Sequence, residues 1–380
     1  MNIGILTGSL SHESGGLFHS VRGVANQLAS DGHRVTVYGI WDSHFQTARS
    51  QWEVNRIVAL RSTGPRKLGF TFRLRSAIEF GDHDILHVQG LWFYPIYAAY
   101  AWSRRTGRPF LISPRGTLDP WALKISATRK RFLLGLFVRK CLEGASAIHA
   151  LCDEERASIL ALGINNDIVV IPNGVGSYIG GNLPRYNGVT SRRRLLFMGR
   201  IHPKKGLAEL LDAWAYLREI NADLFERWQL VVAGWDDGGH LFHLQRQVSL
   251  LGLTDYVLFV GAVFGTVKHE LLCGADAFVL PSRSEGLPMS ALEALAVGLP
   301  CFLTAACNMP DAFVCGAAIR IPQEPIEMGR VLAENLENHA VMEAARLASR
   351  QLWQSKYHLA AVTKSFEDVY SRVILSAGCA

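Results

Sequence analysis

Short runs of apolar residues, each closed by a glycine- or serine-bearing loop and followed by an amphipathic stretch, recur along almost the whole chain. Ile3-Gly4-Ile5-Leu6-Thr7 is the first, and residues 33–39, 84–90, 109–113, 145–151 and 168–171 read the same way. Runs this short and this uniformly apolar suit parallel strands covered on both faces, not half-exposed strands with alternating polarity. Between the first two lies a helical pattern with Leu17, Val21, Val24 and Leu28 on one face, ended by Asp31-Gly32. The rhythm then starts again with residues 194–198, 230–233, 257–260 and 277–281. Repeated β–α alternation predicts an α/β chain of two doubly wound, Rossmann-like parallel-sheet domains facing a cleft. At 380 residues, 49% hydrophobic and 19% charged, the chain can fill two such cores. The expected boundaries are a first domain at 1–180, a linker at 181–193 rich in Gly, Asn, Pro and Arg, and a second domain at 194–358. A final helical segment, 359–380, is expected to cross back to the first domain.

Chemistry concentrates in PSRSEGLPMSALEALAVGLP, residues 281–300. The apolar run Ala277 to Pro281 enters a polar turn holding Glu285 and Gly286, and Pro288 stands where a first helical position is expected. A strand, a glycine turn and a helix start present backbone N–H groups and the positive end of a helix dipole to an anion. Glu285 and Glu293 flank that site, and carboxylates beside a phosphate pocket suit sugar hydroxyls. Two further strand ends complete a set: Arg200 and Lys205 supply cations, and Val263-Phe264 an apolar face for a flat base. A nucleoside diphosphate sugar needs these parts, and fixed cations with N–H groups can stabilise a departing diphosphate without a metal. In the first half, Gly15 and Gly16 allow close backbone approach after the first strand, without the full dinucleotide spacing. Arg115, in Ser113-Pro114-Arg115-Gly116, also sits at a strand's C-terminal end and is read either as an anion contact or as a loop stabiliser. Asp82-His83-Asp84 precedes its strand, the wrong side of a parallel sheet for a ligand, and is read as structural.

Charge is uneven. Residues 1–185 carry 21 Lys and Arg against 13 Asp and Glu, and the remainder 18 against 20. In residues 121–142, cations alternate with Phe, Leu and Val, as in a helix on an anionic lipid surface. An ordinary sheet-packed helix with a solvated basic edge fits equally well, and Arg61 to Arg75 could extend the patch. No nucleic-acid motif accompanies these charges. Seven cysteines without Cys-x-x-Cys spacing read as free thiols in a reducing compartment. No basic leader or membrane-spanning run is evident, so the expected location is the cytoplasm, either free or attached peripherally to the inner membrane face.

Glu285-x7-Glu293 and Gly199-Arg200-x4-Lys205-Gly206, together with Gly15-Gly16, Ile171-Pro172-Asn173-Gly174-Val175 and Ala233-Gly234, resemble the retaining glycosyltransferases of family four, which have the GT-B fold. Residues 113–118 and 120–123 look like members that build bacterial surface polysaccharides. The resemblance implies that Arg200 and Lys205 hold the diphosphate of the sugar donor and Glu293 its ribose. Glu285 would contact hydroxyls of the transferred hexose, helped by backbone from Gly286, Leu287, Pro288 and Met289, and the Gly15-Gly16 loop would close on the phosphate. Where many members carry a histidine, this chain has Arg115; His12 and His87 are weaker substitutes. No metal or other cofactor is implied, and the acceptor would be a saccharide or lipid-linked saccharide. A sugar-nucleotide epimerase, a phosphorylase and a non-catalytic partner subunit share the fold. The phosphorylase lacks an identifiable pyridoxal-phosphate lysine, and the intact charged set disfavours the non-catalytic reading.

Overall fold

The computed structural model describes residues 1–118, 134–177 and 192–378. They form two compact units, Met1–Gly174 with Leu359–Ala380, and Val175–His358. The first unit is built on seven parallel strands: β1 (Asn2–Thr7), β2 (Arg34–Ile40), β3 (Arg56–Leu60), β4 (Ile85–Gln89), β5 (Phe110–Ser113), β6 (Ala147–Ala150) and β7 (Ile168–Val170), in the order β3-β2-β1-β4-β5-β6-β7. The second has six: β8 (Arg193–Met198), β9 (Trp228–Ala233), β10 (Val257–Gly261), β11 (Ala277–Leu280), β12 (Cys301–Leu303) and β13 (Ala318–Arg320), ordered β10-β9-β8-β11-β12-β13. Each sheet grows outward from its first strand in both directions. The loops at the C-terminal ends of β1 and β4, and of β8 and β11, therefore part to opposite faces and leave a crevice.

Burial explains which runs became strands. β5, β6 and β11 are buried at every position, as interior parallel strands must be. Three strands were not expected. β3 is an edge strand opened by Arg56 and buried only at Leu60, while β12 and β13 have three residues each, too few to show a pattern.

The C-terminal helix, Leu359–Gly378, belongs to the first unit. Val362, Phe366, Val369, Tyr370 and Val373 recur every three or four residues and pack with Ile3, Ile5, Val21 and Leu28. Where the chain enters and leaves the second unit, Val175 N–H donates to the Tyr357 carbonyl (2.9 Å) and Trp353 Nε1 donates to the Val175 carbonyl (3.0 Å).

Some expectations meet the structure differently. Residues 181–191 of the expected linker lie outside the described residues, and Arg193 is already paired with Trp228 in the second sheet. Of the basic stretch 121–142, residues 121–133 also lie outside. Its remainder forms a π-helical turn, Leu134–Val138, and a short helix, Arg139–Glu143. Asp82-His83-Asp84 is structural: Arg108 pairs with Asp82, Asp84 accepts the Asn2 N–H (2.6 Å), and buried His83 bonds Tyr38 (2.7 Å). Among the described residues no helix is long and apolar enough to cross a membrane.

Candidate active site

Charged side chains gather where the second sheet reverses its strand order. After β8 the chain makes a 3-10 turn, Pro203–Lys205, in which His202 Nδ1 accepts the Lys204 N–H (3.0 Å). Gly206 closes this turn at φ +70°. A Cβ at Gly206 would lie 2.1 Å from the Pro281 carbonyl oxygen, so only glycine lets the loops after β8 and β11 touch through their backbones. The Arg283 N–H donates to the Lys204 carbonyl (2.8 Å) and fixes that contact.

This approach brings Lys205 onto Glu285. Lys205 Nζ donates to Glu285 Oε1 at 2.5 Å, and Ser282 Oγ donates to the same oxygen at 2.6 Å. The two charged side chains are only 12% and 11% exposed. Burial alone would raise the Glu285 pKa, but the charge and hydrogen bond of Lys205, with the Ser282 hydroxyl, outweigh it and hold the carboxyl below its ordinary range. The backbone of Glu285 is fixed as well. Its N–H donates to the Ala306 carbonyl (2.9 Å), and its carbonyl accepts from Asn308 Nδ2 (2.7 Å). Among the described residues Oε2 has no hydrogen-bond partner.

Glu293 repeats this arrangement with a different lysine. It lies in helix Met289–Ala296, is 5% exposed, and takes Lys268 Nζ on Oε1 at 2.5 Å. Lys268 belongs to helix Gly265–Cys273, whose N-terminal flank is Phe264. The bridge thus ties the loop carrying Val263 and Phe264 to Glu293. Val263 is half-buried there and Phe264 is 40% exposed. Each of the two glutamates is anchored by its own lysine. Pro288 is the N-cap of helix Met289–Ala296 and not its first helical residue, because its backbone is extended (ψ 119°), although its carbonyl already accepts the Ala291 and Leu292 N–H groups (3.2 and 3.3 Å). Met289 and Ser290 supply the N–H groups that have no acceptor within the helix. Gly286 and the buried Leu287 lie in the preceding turn.

Arg200 sits at the rim. The backbones after β8 and β9 run on together: Gly199 N–H donates to Ala233 O (3.0 Å), Ile201 N–H to Trp235 O (2.9 Å), and Asp237 N–H to Ile201 O (3.1 Å). A Cβ at Gly234 would lie 1.7 Å from the Gly199 carbonyl oxygen, which again demands glycine. This register sets Asp237 Oδ2 2.8 Å from Arg200 Nη1, with both side chains partly exposed.

In the first unit, Gly15 (φ +59°) flanks helix Gly16–Ser30 after β1, and Gly16 is its first residue. Arg115, also at positive φ (+60°), directs its guanidinium to neutral acceptors. Nε donates to Gln89 Oε1 (2.9 Å), and Nη1 to Asn173 Oδ1 (2.8 Å) and Ser20 Oγ (3.3 Å). Burial lowers its pKa to about 10, against the opposing pull of Glu155. Arg115 therefore fastens the ends of β4 and β5 to helix Gly16–Ser30. Beneath it runs a buried chain whose protons follow from its end point. The Ile171 carbonyl can only accept, so His149 Nε2–H donates to it (2.6 Å). Ser113 Oγ–H then donates to His149 Nδ1 (2.7 Å), His87 Nε2–H to Ser113 Oγ (2.7 Å), and Tyr370 O–H to His87 Nδ1 (2.7 Å). With both nitrogens engaged and its side chain buried, His87 is not available to a ligand. His12 packs edge-on against Phe18, its Nε2 2.9 Å from Gln51 Nε2.

Ser282, Lys268, Asp237 and Asn308 were missed by the sequence reading. Only Ser282 left a signal, as the hydroxyl three residues before Glu285.

Two sequence families match. "Glycosyl transferase 4-like domain" covers residues 15–174 and "Glycosyl transferases group 1" covers residues 184–349. D-inositol 3-phosphate glycosyltransferase of Streptomyces coelicolor is 32% identical over 191 residues, 48% of this chain and 40% of that protein. GDP-mannose:cellobiosyl-diphosphopolyprenol alpha-mannosyltransferase of Komagataeibacter xylinus is 24% identical over 302 residues, 78% and 73% of the two chains. Several relatives are thus matched over less than half of their length. The crystal structure of HepE from Anabaena in complex with UDP and glucose superposes with a TM-score of 0.79 at 18% identity, covering 98% of this chain and 99% of that one. With both halves matched and the fold shared along its length, the chain belongs to the family-four-like glycosyltransferases of the GT-B fold.

Proposed function

We propose that the protein is a retaining hexosyltransferase that moves a hexose from a nucleoside diphosphate sugar to a saccharide or lipid-linked acceptor in cell-surface polysaccharide synthesis. The observation that carries this reading is the shared anchoring of two carboxylates through one oxygen each. Lys205 and Ser282 take Glu285 Oε1, and Lys268 takes Glu293 Oε1. The second oxygen of each can accept from a hydroxyl: Glu285 from the hexose, Glu293 from the ribose. Holding the carboxylates in fixed rotamers removes part of the ordering cost when the sugar binds.

In this mechanism negative charge develops on the departing diphosphate as the glycosidic bond breaks. Arg200, Lys205 and the Met289 and Ser290 N–H groups at the positive end of helix Met289–Ala296 stabilise it, which needs no metal. Val263 and Phe264 offer the base an apolar wall beside Glu293. In the first unit, Gly15, Gly16 and Arg115, proposed as donor contacts, bring backbone and a fixed cation to the C-terminal edge of the first sheet. Relatives support a nucleotide sugar: one is named for GDP-mannose and a diphosphopolyprenol acceptor, and HepE was solved with UDP-glucose. A lipid-linked acceptor would place the protein in the cytoplasm at the inner membrane face, with the basic segment 121–142 toward anionic lipid.

The test is a panel of UDP- and GDP-hexoses, scored for slow hydrolysis and thermal stabilisation with and without excess EDTA. A single preferred nucleotide sugar, turned over in chelator with its anomeric configuration retained, is the expected result. Inversion, or a loss restored by Mg²⁺ or Mn²⁺, overturns the corresponding part of the proposal. Epimerised nucleotide sugar without transfer would establish the epimerase instead.

A further inference from the structure

The segment Arg56 to Arg75 holds six cations and no carboxylate. Some are accounted for by the fold. Arg66 pairs with Glu13 and lies 3.4 Å from Asp42, and Arg56 stacks over the Phe80 ring at 5.5 Å. Arg61 and Arg73 have no carboxylate partner among the described residues. Both are exposed, and both line one cavity of about 560 Å³ at the C-terminal end of edge strand β3, with Thr63, Thr71 and Phe72.

Three features of this cavity point to the same ligand chemistry. Thr71 lines the cavity with 3% of its surface exposed, and its hydroxyl makes no hydrogen bond among the described residues, which leaves it able to donate to a ligand there. Helix Arg73–Phe80 begins at the cavity, with Phe72 as its N-terminal flank, so the positive end of its dipole is directed there. Arg61 and Arg73 both line the hollow without a carboxylate partner among the described residues, and Arg61 stacks over the neighbouring Trp41 ring (5.5 Å). A group with one or two negative charges and several acceptor oxygens would bond the hydroxyl, the guanidiniums and the helix start together. Phe72, 74% exposed, forms an apolar lip beside it.

We propose that this cavity is a phosphate-binding site of the first unit, distinct from the nucleotide-sugar site of the second. Its ligand is a phosphate ester or free phosphate, and an ester's apolar remainder would lie against Phe72.

Binding should be measured for the parent protein, Arg61→Gln/Arg73→Gln, Thr71→Val and Lys205→Ala in two arms. One arm titrates inorganic phosphate. The other sediments the protein with phosphatidylglycerol or phosphatidylcholine vesicles. The arginines are exposed and valine is nearly isosteric with threonine, so circular dichroism should show each variant folded. In the responding arm, the double variant should bind about tenfold more weakly and Thr71→Val a few-fold more weakly, while Lys205→Ala retains binding. A response to phosphate identifies a free or water-soluble phosphate ligand; a response only to phosphatidylglycerol identifies a lipid headgroup. The proposal is overturned by no binding in either arm, by equal binding in parent and Arg61→Gln/Arg73→Gln, or by complete loss in Lys205→Ala.

Discussion

Lys205 Nζ and Glu285 Oε1, eighty residues apart in the chain, meet at 2.5 Å in a nearly closed site. Removing the lysine does more than delete the cation proposed for the diphosphate: it leaves a buried carboxylate with only Ser282 for support. Lys205→Ala should lower nucleotide-sugar turnover by orders of magnitude and destabilise the second unit by roughly 3 kcal/mol, the usual cost of breaking a buried pair. The sign with pH follows from the depressed Glu285 pKa. Its stabilisation is present above the unfolded carboxyl's pKa and is lost as pH falls through the folded value. Lys205→Ala/Glu285→Gln should recover much of the melting temperature without recovering turnover. If Lys205→Ala melts and turns over like the parent, the pair has neither role.

Asp237 holds Arg200 at 2.8 Å and so competes with any diphosphate for that guanidinium. Both side chains are partly exposed, where such pairs contribute little. Asp237→Asn should therefore tighten nucleoside diphosphate binding by roughly two- to five-fold, measured by calorimetry. The gain should vanish in an Arg200→Gln background, because the coupling runs through that one side chain. Arg200→Gln alone should weaken binding; if it does not, Arg200 is not a diphosphate ligand whatever Asp237 does.

Gly206 and Gly234 carry backbone contacts that no other residue permits. A Cβ would stand 2.1 Å from Pro281 O at the first and 1.7 Å from Gly199 O at the second. Either alanine variant must separate two strand-end loops and should cost on the order of 2–4 kcal/mol. Gly206→Ala should also separate Lys205 from Glu285 and depress turnover more than Gly252→Ala, a surface control with positive φ (+65°) and only the Arg218 side chain nearby. Equal effects of Gly206→Ala and Gly252→Ala on turnover would mean that loop contact does not position the lysine.

What the chain revealed in advance follows from the range of each interaction. Strands buried on both faces leave uninterrupted apolar runs, so the interior of both sheets was legible; β3, β12 and β13 were not, being an edge and two three-residue strands. Lys205, Arg200 and Glu285 could be singled out because each lies beside a glycine at a strand end, and Glu293 because of its seven-residue spacing from Glu285. Their partners could not. Lys268 lies in mid-helix, Asp237 in a polar loop, and nothing local distinguishes either from a solvated charge. Arg115 had two readings from sequence. Its four-way bonding to Gln89, Asn173 and Ser20 gives it a loop-fastening role, and its contact with an anion rests on the function proposed for the site. The proton order from Tyr370 to Ile171 depends on residues 283 and 36 positions apart and has no sequence signature.

The two histidines of that buried chain, with His83 beside Tyr38, make the first unit sensitive to acid. Burial pushes the His87 pKa well below 6.5, and the nearby charge of Arg115 adds to the effect; burial likewise brings His149 to about 3 and His83 to about 4. A histidine whose folded pKa is depressed stabilises the fold fully above the unfolded value near 6.5. Below it the unfolded chain binds the proton first, so stability falls with pH until the folded value is reached. Each of the three should remove roughly 1 kcal/mol per pH unit between about 6 and 4, together a large share of an ordinary domain's stability. Urea unfolding at pH 7.5 and 5.5, followed by exchange of first-unit amides, should show that unit destabilised selectively. His149→Gln offers only one amide group where the ring bridged Ser113 and Ile171, so it should be less stable at pH 7.5 yet lose less on acidification. An unchanged slope between pH 6 and 4 in His149→Gln would show that the histidine is not the group taking up the proton.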